Sequence, residues 1–466
     1  MNKNTFLKFK DNDAVITEND SRYSYNDLLK YAELIGKEVE TRSLVFCLSS
    51  NSVGSLAGYV SLIFNNSVPV MLDSKIDRGL LNDLISIYKP RYIWLPEEES
   101  ETIDGYRYSF SALGYSLILN NNNQNCKLHP DLALLLPTSG STGSPKLVKL
   151  TYENIESNAK SIAKYLEIDE SDRPITTLPM HYTFGLSIIN SHLIKGSTIL
   201  LTNSSVMEKS FWSFLSKSKA TSLSGVPYTF EMLDRLRFFR MELKYLKKIT
   251  QAGGKLSNSL SEKFSNFFIK ENISFYVMYG QTEATARMSY LPPEYSVSKL
   301  GSIGVAIPGG EFHLINDNGQ LIEKDETVGE LVYEGSNVSM GYSITLEDLA
   351  KDDTNKGVLK TGDLAKKDKE GFYYIVGRKK RFAKIFGNRV NLDEVEQLVK
   401  NITHECACIA VGELICIYTP KEEKINEIKE FISLKTGIHS SGFKVEYIDC
   451  IPKNSSGKTI YSRLDK

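Results

Sequence analysis

Hydrophobic and polar residues in the first third of the chain follow a helical pattern and a strand pattern in turn. Ser24 and Asp27 have the spacing of a capping box, and apolar residues recur at helical spacing after them. Short β-favouring runs and apolar helical segments then alternate. Strands separated by helices form βαβ units, so this pattern predicts a largely parallel sheet flanked by helices. The predicted strands are 43–48, 68–72, 92–95 and 132–136, and the predicted helices are 53–64 and 80–88.

A different pattern begins near residue 304 and continues to residue 377. Short β runs are separated there by glycines and charged turns, which is typical of antiparallel strands in a barrel or a meander. We therefore predict a β-barrel-like region in this part of the chain. The runs are 312–315, 330–333 and 372–376.

The basic run 378–381 separates this region from a smaller series of helices and strands. We place a domain boundary there and predict an α/β fold with two parts. The large N-terminal body, 1–377, would contain βαβ-type sheets flanked by helices together with the β-barrel-like region. The small C-terminal domain, 378–466, would have an α+β arrangement and the size of a lid.

The composition and charge are those of an ordinary globular protein. Of the 466 residues, 41% are hydrophobic and 24% are charged, which excludes disordered, collagen-like and low-complexity proteins. The chain has 56 Lys and Arg against 57 Asp and Glu, a net charge of −1, so we expect no nucleic-acid partner. The N-terminus lacks the apolar segment of a secretory signal, and no apolar run approaches the ~20 residues of a membrane helix. We expect a cytoplasmic protein without a membrane partner.

Three of the six cysteines lie close together and allow two interpretations. Cys406, Cys408 and Cys416 could contribute to a metal site. However, the first two belong to an alternating β-favouring run, and no CxxC pair is present. Free cysteine commonly packs as a small apolar residue, so we favour buried strand positions.

The segment 136–151 combines a strand, a loop rich in glycine and hydroxyl residues, and a lysine. Glycines let backbone N–H groups approach an anion, and hydroxyls add donors, so such a loop suits the phosphates of a nucleotide. It is not a Walker A loop, because Pro145 stands five residues after Gly140, where Gly-Lys is required. A flexible Ser/Gly turn is the alternative. The candidate phosphate-binding residues are Thr138, Ser139, Gly140, Ser141, Thr142, Gly143 and Lys146.

A second Ser/Gly loop, 452–459, lies near the C-terminus. Its Gly-Lys-Thr resembles the end of a Walker A loop, but Pro452 replaces the leading glycine, and only seven residues follow Thr459. These two failed matches disfavour a P-loop phosphotransferase. Lys458 remains as a lysine on this loop, and by itself it is best explained as a solvated terminal charge.

Three further motifs give the two loops a common interpretation. They are Tyr-Gly-Gln-Thr-Glu-Ala-Thr at 279–285, Lys-Thr-Gly-Asp-Leu at 360–364, and the segment 377–396, which begins Gly-Arg-Lys-Lys-Arg. With these motifs the chain resembles the adenylate-forming superfamily, which comprises acyl-CoA synthetases, adenylation domains of peptide synthetases and luciferases. The resemblance covers nearly the whole chain, and the five motifs have the family's order and spacing.

The resemblance implies an ATP-dependent ligase that uses Mg²⁺. The carboxylate of a small acid would attack the α-phosphate of ATP and yield an acyl-adenylate and pyrophosphate. Thr282 would contact the α-phosphate, and Glu283 would hold Mg²⁺, which prefers carboxylate and phosphate oxygens. Lys458 would be the catalytic cation that bridges the carboxylate and the α-phosphate, where negative charge develops.

The same resemblance implies the nucleotide contacts and a hinge. Asp363 would accept the ribose hydroxyls, and Arg378 would approach the ribose or the phosphates. Lys380 falls at the family's hinge position, so the C-terminal domain would be mobile and rotate between two half-reactions. The residues assigned to the adenine and acyl segments are Gly253, Gly254, Tyr279 and Gly280.

The segment 178–186 resembles the family's stretch near the acyl pocket but departs from its pattern. His181 and Tyr182 stand where Phe and His would, so substrate contact or gating and plain core packing are both open for them. The segment lacks the Asp that pairs with an α-amino group in peptide-synthetase domains, which argues against the usual amino-acid recognition. Val226 and Met278 would line the pocket by position.

The thiol acceptor is expected to be a separate molecule, because no carrier domain follows residue 466. We favour the phosphopantetheine of a separate acyl or peptidyl carrier protein, since the compact chain resembles stand-alone carrier-loading ligases. Coenzyme A is the alternative acceptor. The substrate would be a small carboxylic or amino acid. A catalytically silent module that binds a nucleotide or an acyl group is a remoter alternative.

Overall fold

The structure is a computed structural model that describes residues 3–100, 103–120, 126–137, 146–379, 381–386, 388–412, 414–453 and 459–464. The helices, in chain order, are α1 Lys3–Lys8, α2 Tyr25–Glu38, α3 Val53–Phe64, α4 Arg78–Tyr88, α5 Tyr152–Tyr165, α6 Thr183–Leu193, α7 Lys209–Lys217, α8 Pro227–Arg235, α9 Asn258–Lys270, α10 Leu392–Val399 and α11 Ile425–Thr436. The strands are β1 Asp13–Thr17, β2 Arg22–Ser24, β3 Leu44–Ser49, β4 Val68–Asp73, β5 Tyr92–Pro96, β6 Tyr106–Ala112, β7 Tyr115–Asn120, β8 Leu132–Pro137, β9 Leu147–Thr151, β10 Pro174–Ile175, β11 Ile199–Leu201, β12 Ser222–Gly225, β13 Lys248–Gln251, β14 Ser274–Tyr279, β15 Ser289–Leu291, β16 Val305–Ala306, β17 Gly310–Ile315, β18 Gly329–Gly335, β19 Tyr342–Ser343, β20 Val358–Lys367, β21 Tyr373–Arg378, β22 Phe382–Ile385, β23 Asn388–Asn391, β24 Ala407–Val411, β25 Leu414–Thr419 and β26 Phe443–Tyr447.

An eight-stranded sheet has the order β19-β9-β8-β4-β3-β5-β7-β6. Its four central strands, β8, β4, β3 and β5, are parallel, and β3 is buried at every position. A parallel strand that is covered on both faces reads as a continuous apolar run, as this one does. Antiparallel strands β7 and β9 flank the centre, and β6 and β19 extend it. The predicted parallel arrangement is therefore present, with antiparallel strands added at both edges.

A nine-stranded sheet has the order β16-β15-β14-β13-β12-β10-β11-β1-β2. Neighbouring strands from β14 to β1 pair in parallel, whereas β2 pairs antiparallel with β1, β15 with β14, and β16 with β15. One core cluster contains residues of both large sheets, such as Val45 and Ile199, together with Leu56 of α3 and Ile189 of α6. The helix α6 is buried along its whole length, and α3 is buried from Val53 to Ile63. Helices that are buried all round need apolar partners on each side, so α3 and α6 lie between the two sheets.

Four strands of residues 310–378 form a sheet in the order β17-β18-β20-β21, and β20 and β21 are antiparallel; β19, from the same region, belongs to the eight-stranded sheet. This is the region where the sequence predicts antiparallel strands. Further along the chain, β22 and β23 form an antiparallel pair, and β24, β25 and β26 form a three-stranded sheet. Residues of α10 and α11 share a core cluster with β24, β25 and β26, which gives this part its α+β character.

The clustered cysteines are buried at or beside strands. Cys406 directly precedes β24, Cys408 lies in β24 and Cys416 lies in β25. Burial raises the pKa of the Cys406 thiol to about 12, so the thiol stays protonated. Among the described residues, no group of three or more His, Cys, Asp or Glu side chains could hold a metal ion. The geometry agrees with the strand interpretation of these cysteines.

Residue contacts divide the chain into two compact units, which are described separately below. The first comprises the described residues of Met1–Thr138, Pro145–Glu311 and Tyr333–Leu359, and the second comprises those of Phe312–Val332 and Lys360–Lys466. The division groups residues by packing. The boundary that the sequence predicts at residue 378 is of another kind, because it marks the start of a C-terminal domain expected to rotate. That boundary stays a prediction. In the part of the chain that the structure describes, no helix is long and apolar enough to cross a membrane.

Candidate active site

The chain turns sharply where β14 ends in the first unit. Gly280 follows the last strand residue, and a Cβ atom at this position would overlap the backbone carbonyl oxygen of Ala286, so only glycine fits. Residues Thr282–Ala284 form a single 3₁₀ turn, and Thr285 adopts a left-handed φ of 66°. A threonine in this region is strained and needs support from its surroundings. This turn carries Thr282 and Glu283, the residues predicted to act at the α-phosphate and the metal.

Asn337 supplies much of that support. Its Nδ2 donates to the carbonyl oxygens of Ala284 at 2.8 Å and Arg287 at 3.2 Å, and its Oδ1 accepts from the Tyr333 hydroxyl at 2.8 Å. The Thr285 hydroxyl donates to the Asn337 carbonyl oxygen at 2.7 Å. Sequence reasoning missed Asn337. Its place in the Gly-Ser-Asn-Val-Ser segment indicates a turn, but a turn alone does not identify its partners.

Glu283 contacts a tyrosine that connects it to the end of the predicted phosphate loop. The Tyr342 hydroxyl donates to Glu283 Oε1 at 2.7 Å, and Lys146 Nζ lies 5.7 Å from the centroid of the Tyr342 ring. Burial, and then the charge of Glu283, raise the pKa of Tyr342, so its hydroxyl remains a donor. The fold thus brings Lys146 and Glu283, which come from two separate motifs, to opposite parts of one aromatic side chain. Sequence reasoning missed Tyr342.

The predicted phosphate loop comprises residues 138–146. Of that loop, the structure describes Lys146, which directly precedes β9. The remaining candidates lie outside the described residues: Thr138, Ser139, Gly140, Ser141, Thr142 and Gly143.

Three segments that the sequence assigns to the adenine and acyl pockets, those of Tyr182, Val226 and Gly253, lie close together at Gly253. Gly253 has a left-handed φ of 84°, and a Cβ there would lie 2.8 Å from the Tyr182 hydroxyl and 3.0 Å from Val226 Cγ1. A Cβ on Gly254 would lie 3.1 Å from Pro227 Cγ. Burial raises the pKa of Tyr182 to about 12, so this hydroxyl is neutral. Tyr182 therefore faces the predicted nucleotide and acyl segment.

His181 faces elsewhere, although it is the neighbour of Tyr182. Its Nε2 lies 3.6 Å from Asp73 Oδ2, at the end of β4. Burial lowers the pKa of His181, and the charge of Asp73 opposes that shift. The two adjacent residues thus have separate surroundings, and the pairing with Asp73 favours a packing role for His181.

Met278 is buried against polar groups. Its Sδ accepts from the Tyr165 hydroxyl at 3.1 Å and from Arg287 Nη1 at 3.4 Å. Arg287 itself is 2% exposed, and its guanidinium lies 5.0 Å from the centroid of the Phe184 ring. Sequence reasoning missed Arg287, although a lone arginine between apolar residues directly after the 279–285 motif is an unusual signal.

In the second unit, Asp363 and Arg378 lie opposite each other on β20 and β21. Arg378 Nε donates to Asp363 Oδ1 at 3.2 Å; the Asp363 side chain is 4% exposed and the Arg378 side chain 61% exposed. The resemblance places Asp363 at the ribose and Arg378 at the ribose or the phosphates, and the antiparallel register brings the two residues together. Tyr279 belongs to the first unit, at the end of β14. Lys380 and Lys458 lie outside the described residues.

Comparisons with curated proteins find related ligases. The chain is 29% identical to an oxalate–CoA ligase of Arabidopsis thaliana over 347 residues, which are 71% of this chain and 66% of that protein. It is 24% identical to a 2-succinylbenzoate–CoA ligase of Geobacillus sp. (strain WCH70) over 450 residues, which are 93% of this chain and 89% of that protein.

Solved structures show the same fold. The o-succinylbenzoate CoA synthetase of Bacillus subtilis in complex with its acyl-adenylate intermediate superposes with a TM-score of 0.80 at 22% identity, and covers 99% of this chain and 98% of that one. The same enzyme in complex with ATP and a magnesium ion gives a TM-score of 0.79 at 22% identity, with 99% of each chain covered. The predicted α/β fold class, with a large N-terminal and a small C-terminal domain, is confirmed.

The family model of AMP-binding enzymes matches residues 4–343. That match covers well over half of the chain, includes the motifs at 136–151 and 279–285, and confirms the resemblance to this family. The chain belongs to the AMP-binding enzyme family, within the adenylate-forming superfamily of AMP-forming ligases.

Proposed function

We propose that this protein joins a small carboxylic acid to coenzyme A at the expense of ATP. In the first step, a carboxylate oxygen bonds to the α-phosphorus of ATP, and the bond from that phosphorus to the bridging oxygen of pyrophosphate breaks. In the second step, the thiol sulfur bonds to the acyl carbon, AMP leaves as the C–O bond breaks, and the thiol gives up its proton. The products are AMP, pyrophosphate and an acyl thioester.

The observation that carries the proposal is the arrangement of Lys146, Tyr342 and Glu283. A cation at the end of a phosphate-type loop and a carboxylate on the 279–285 turn share one tyrosine, with the distances of 5.7 Å and 2.7 Å given above. A polyphosphate with its metal ion needs this combination, because the cation attracts phosphate oxygens and the carboxylate attracts the metal.

The residues present fit magnesium bound to ATP. Among the described residues, Glu283 belongs to no group of three or more His, Cys, Asp or Glu side chains that could hold a metal ion by themselves, so the phosphates of ATP would have to supply part of the metal's ligands. Mg²⁺ commonly takes one or two protein carboxylates and completes its shell with phosphate oxygens and water. When bound, the ion would neutralise charge on the phosphates of ATP.

The roles of the individual residues follow from this placement and from the resemblance. Lys146 would hold the departing pyrophosphate, and Thr282 would donate to the α-phosphate. Asp363 would bind the ribose hydroxyls, with Arg378 holding the carboxylate in place. Lys458 would bridge the reacting carboxylate and the α-phosphate, and Lys380 would be the hinge.

Coenzyme A is a better supported acceptor than the carrier protein that the sequence favours. The curated relatives named above are CoA ligases, and the matches cover 71% and 93% of this chain. The acids in their names, oxalate and 2-succinylbenzoate, are therefore the first substrates to try. The sequence argument for a carrier protein rests on chain compactness alone, which is weaker support.

The test is acid-dependent ATP–pyrophosphate exchange with the purified chain and a panel of acids that includes oxalate, 2-succinylbenzoate and simple monocarboxylates. Exchange followed by AMP formation with coenzyme A is the expected result. A folded protein that supports no exchange with any acid would contradict the proposal, and thioester formation only on a carrier protein would restore the acceptor favoured by the sequence.

Lysine variants test the catalytic assignment in the same assay. Lys458→Ala should nearly abolish exchange and leave ATP binding intact, because it removes the bridging cation. Lys444→Ala is the matched control, since Lys444 is an exposed lysine of the C-terminal region that pairs with Glu446 at 2.8 Å. Equal exchange rates in the two variants would exclude the role of Lys458.

A further inference from the structure

Arg287 is a buried cation without an anionic partner. It is 2% exposed, its Nη1 donates to the Tyr165 hydroxyl at 3.2 Å and contacts Met278 Sδ at 3.4 Å, and the Phe184 ring faces its guanidinium. Its Nε is buried and has no hydrogen-bond acceptor. Among the residues that the structure describes, no carboxylate forms an ion pair with it. The three side chains that contact this guanidinium here are all neutral.

An uncompensated buried charge is expensive, and arginine cannot avoid the cost by losing its proton. Lys149, which is 1% exposed, also lacks a carboxylate partner among the described residues, but its Nζ donates to the carbonyl oxygens of Asp348 at 3.1 Å and Lys351 at 2.9 Å. Two cations that are less deeply buried have carboxylate partners. Lys248 pairs with Asp172 at 2.9 Å, and Arg381 pairs with Glu396 and Asp393. Arg287 differs from these three cations because one of its donors, Nε, has no acceptor.

The backbone of Arg287 is fixed. Its carbonyl oxygen accepts from Asn158 Nδ2 at 2.9 Å and from Asn337 Nδ2 at 3.2 Å, and both asparagines are buried. The side chain therefore extends from a rigid point four residues after Glu283. A rigid base is what a specificity-determining side chain needs, because a loosely held cation would accept anions in many positions.

Contacts connect the guanidinium to the predicted acyl pocket. The Phe184 ring that faces it lies 6.4 Å from the Tyr182 ring, and the Tyr182 hydroxyl borders Gly253 together with Val226. On the other side, Arg287 contacts Met278, the further residue that the sequence assigns to this pocket. The unpaired charge therefore adjoins the residues expected to surround the acid.

We infer that Arg287 determines specificity by receiving a second anionic group of the acid substrate, so that the preferred acid carries another acidic group besides the reacting carboxylate. This inference rests on the proposed function. The Nε donor on one edge of the guanidinium is unsatisfied, and such an edge binds a carboxylate through charge-assisted hydrogen bonds. A monocarboxylic acid of the same length would leave this charge uncompensated.

The experiment compares acids that differ by one acidic group: butyrate with succinate, propionate with malonate, and benzoate with phthalate. Acid-dependent pyrophosphate exchange gives kcat/KM for each acid. The wild-type enzyme should favour the diacid of at least one pair by about ten-fold or more, since hydrogen bonds to charged groups are the strong ones. Sulfonate and phosphonate analogues of succinate show whether a carboxylate or any anion satisfies Arg287.

Arg287→Met and Arg287→Lys separate a specificity role from a structural one. The Met variant should lose the diacid preference because its KM for the diacid rises. The Lys variant should retain part of the preference. The Met variant should also melt at or above the wild-type temperature, because it removes an uncompensated charge. Arg381→Met is the control, since that change leaves Glu396 without its partner and should lower the melting temperature.

The outcomes distinguish the two proposals. Exchange with monocarboxylic acids as fast as with their diacid partners would overturn the role of Arg287 and leave the ligase function intact. A Met variant that melts lower and retains the diacid preference would assign Arg287 to the core instead. No exchange with any acid would overturn the proposed function and, with it, this inference.

Discussion

Replacing Asn337 by aspartate tests whether the catalytic turn depends on this side chain. The two residues have the same shape, but the substitution exchanges a donor for an acceptor. In the protein, Nδ2 of Asn337 donates to two carbonyl oxygens, those of Ala284 and Arg287. A carboxylate oxygen in that place would face both carbonyl oxygens, and at 3% exposure the residue has little access to water that could compensate.

The cost can be worked from these contacts. A buried carboxylate that faces carbonyl oxygens takes up a proton, and holding that proton at pH 7 against an unfolded pKa of about 3.9 costs about 4 kcal/mol. The protonated group can donate to one carbonyl, so one further hydrogen bond, about 1 kcal/mol, is lost. Asn337→Asp should therefore lower the free energy of unfolding by about 5 kcal/mol at pH 7 and by about 2 to 3 kcal/mol at pH 5.

The sign of the pH dependence follows from the raised pKa of the new carboxyl group. Its protonated form belongs to the folded state, so the variant regains stability relative to the wild type as the pH falls toward the unfolded pKa. Asn337→Ala removes the same hydrogen bonds and adds no ionisable group, so its loss should not depend on pH. Asn65→Asp is a control outside the turn, since Asn65 donates to the Val39 carbonyl oxygen at 2.8 Å and is only partly buried.

Urea unfolding followed by far-UV circular dichroism at pH 5 and pH 7 measures these differences, and pyrophosphate exchange reports the turn itself. Exchange should fall in both Asn337 variants and stay near the wild-type rate in Asn65→Asp. An Asn337→Asp protein with wild-type stability at both pH values, or with a loss equal at both, would refute the reasoning.

Three further changes test other parts of the structure. Tyr342→Phe should raise the Mg²⁺ concentration for half-maximal exchange about five-fold, since a half-exposed hydrogen bond to a carboxylate contributes about 1 kcal/mol; an unchanged Mg²⁺ titration would contradict the link to Glu283. Burial lowers the pKa of His192 to about 4, so stability that is present above pH ~6.5 should be lost by about 3 kcal/mol as the pH falls toward 4. His192→Asn should lack this part of the pH dependence in urea unfolding at pH 7.5 and 4.5. Gly280→Ala should abolish exchange because its Cβ overlaps a backbone carbonyl, whereas Gly36→Ala in α2, with 3.4 Å of clearance, should remain active and fold at least as stably.

Local elements could be read from the sequence with little error. The capping box of Ser24 and Asp27 is present at the start of α2, and the predicted strand 68–72 is observed as Val68–Asp73. The predicted C-terminal pattern after residue 378 likewise appears as a small α+β arrangement. Caps and apolar periodicity act between residues a few positions apart, so the sequence contains all the information they need.

The pairing of strands was harder to predict from the sequence than the local elements were. The four central strands of the eight-stranded sheet are parallel as predicted, but its antiparallel edges include β19, whose partner β9 is nearly 200 residues away. An edge strand of two residues has almost no periodicity of its own. Its pairing depends on which segments the rest of the fold brings beside it.

The features of the candidate site also fall into two groups, those that the sequence predicts and those that only the fold reveals. The sequence by itself determined the family, the five motifs and the residue types available for ATP, because glycine, hydroxyl, carboxylate and lysine residues in a fixed order carry that chemistry wherever the chain folds. Only the tertiary structure decided that Asn337 holds the turn, that Tyr342 joins Glu283 to Lys146, and that Arg287 is buried without an anion. Each of these depends on contacts between distant segments, and the energy of a buried charge or amide is set by its neighbours in space.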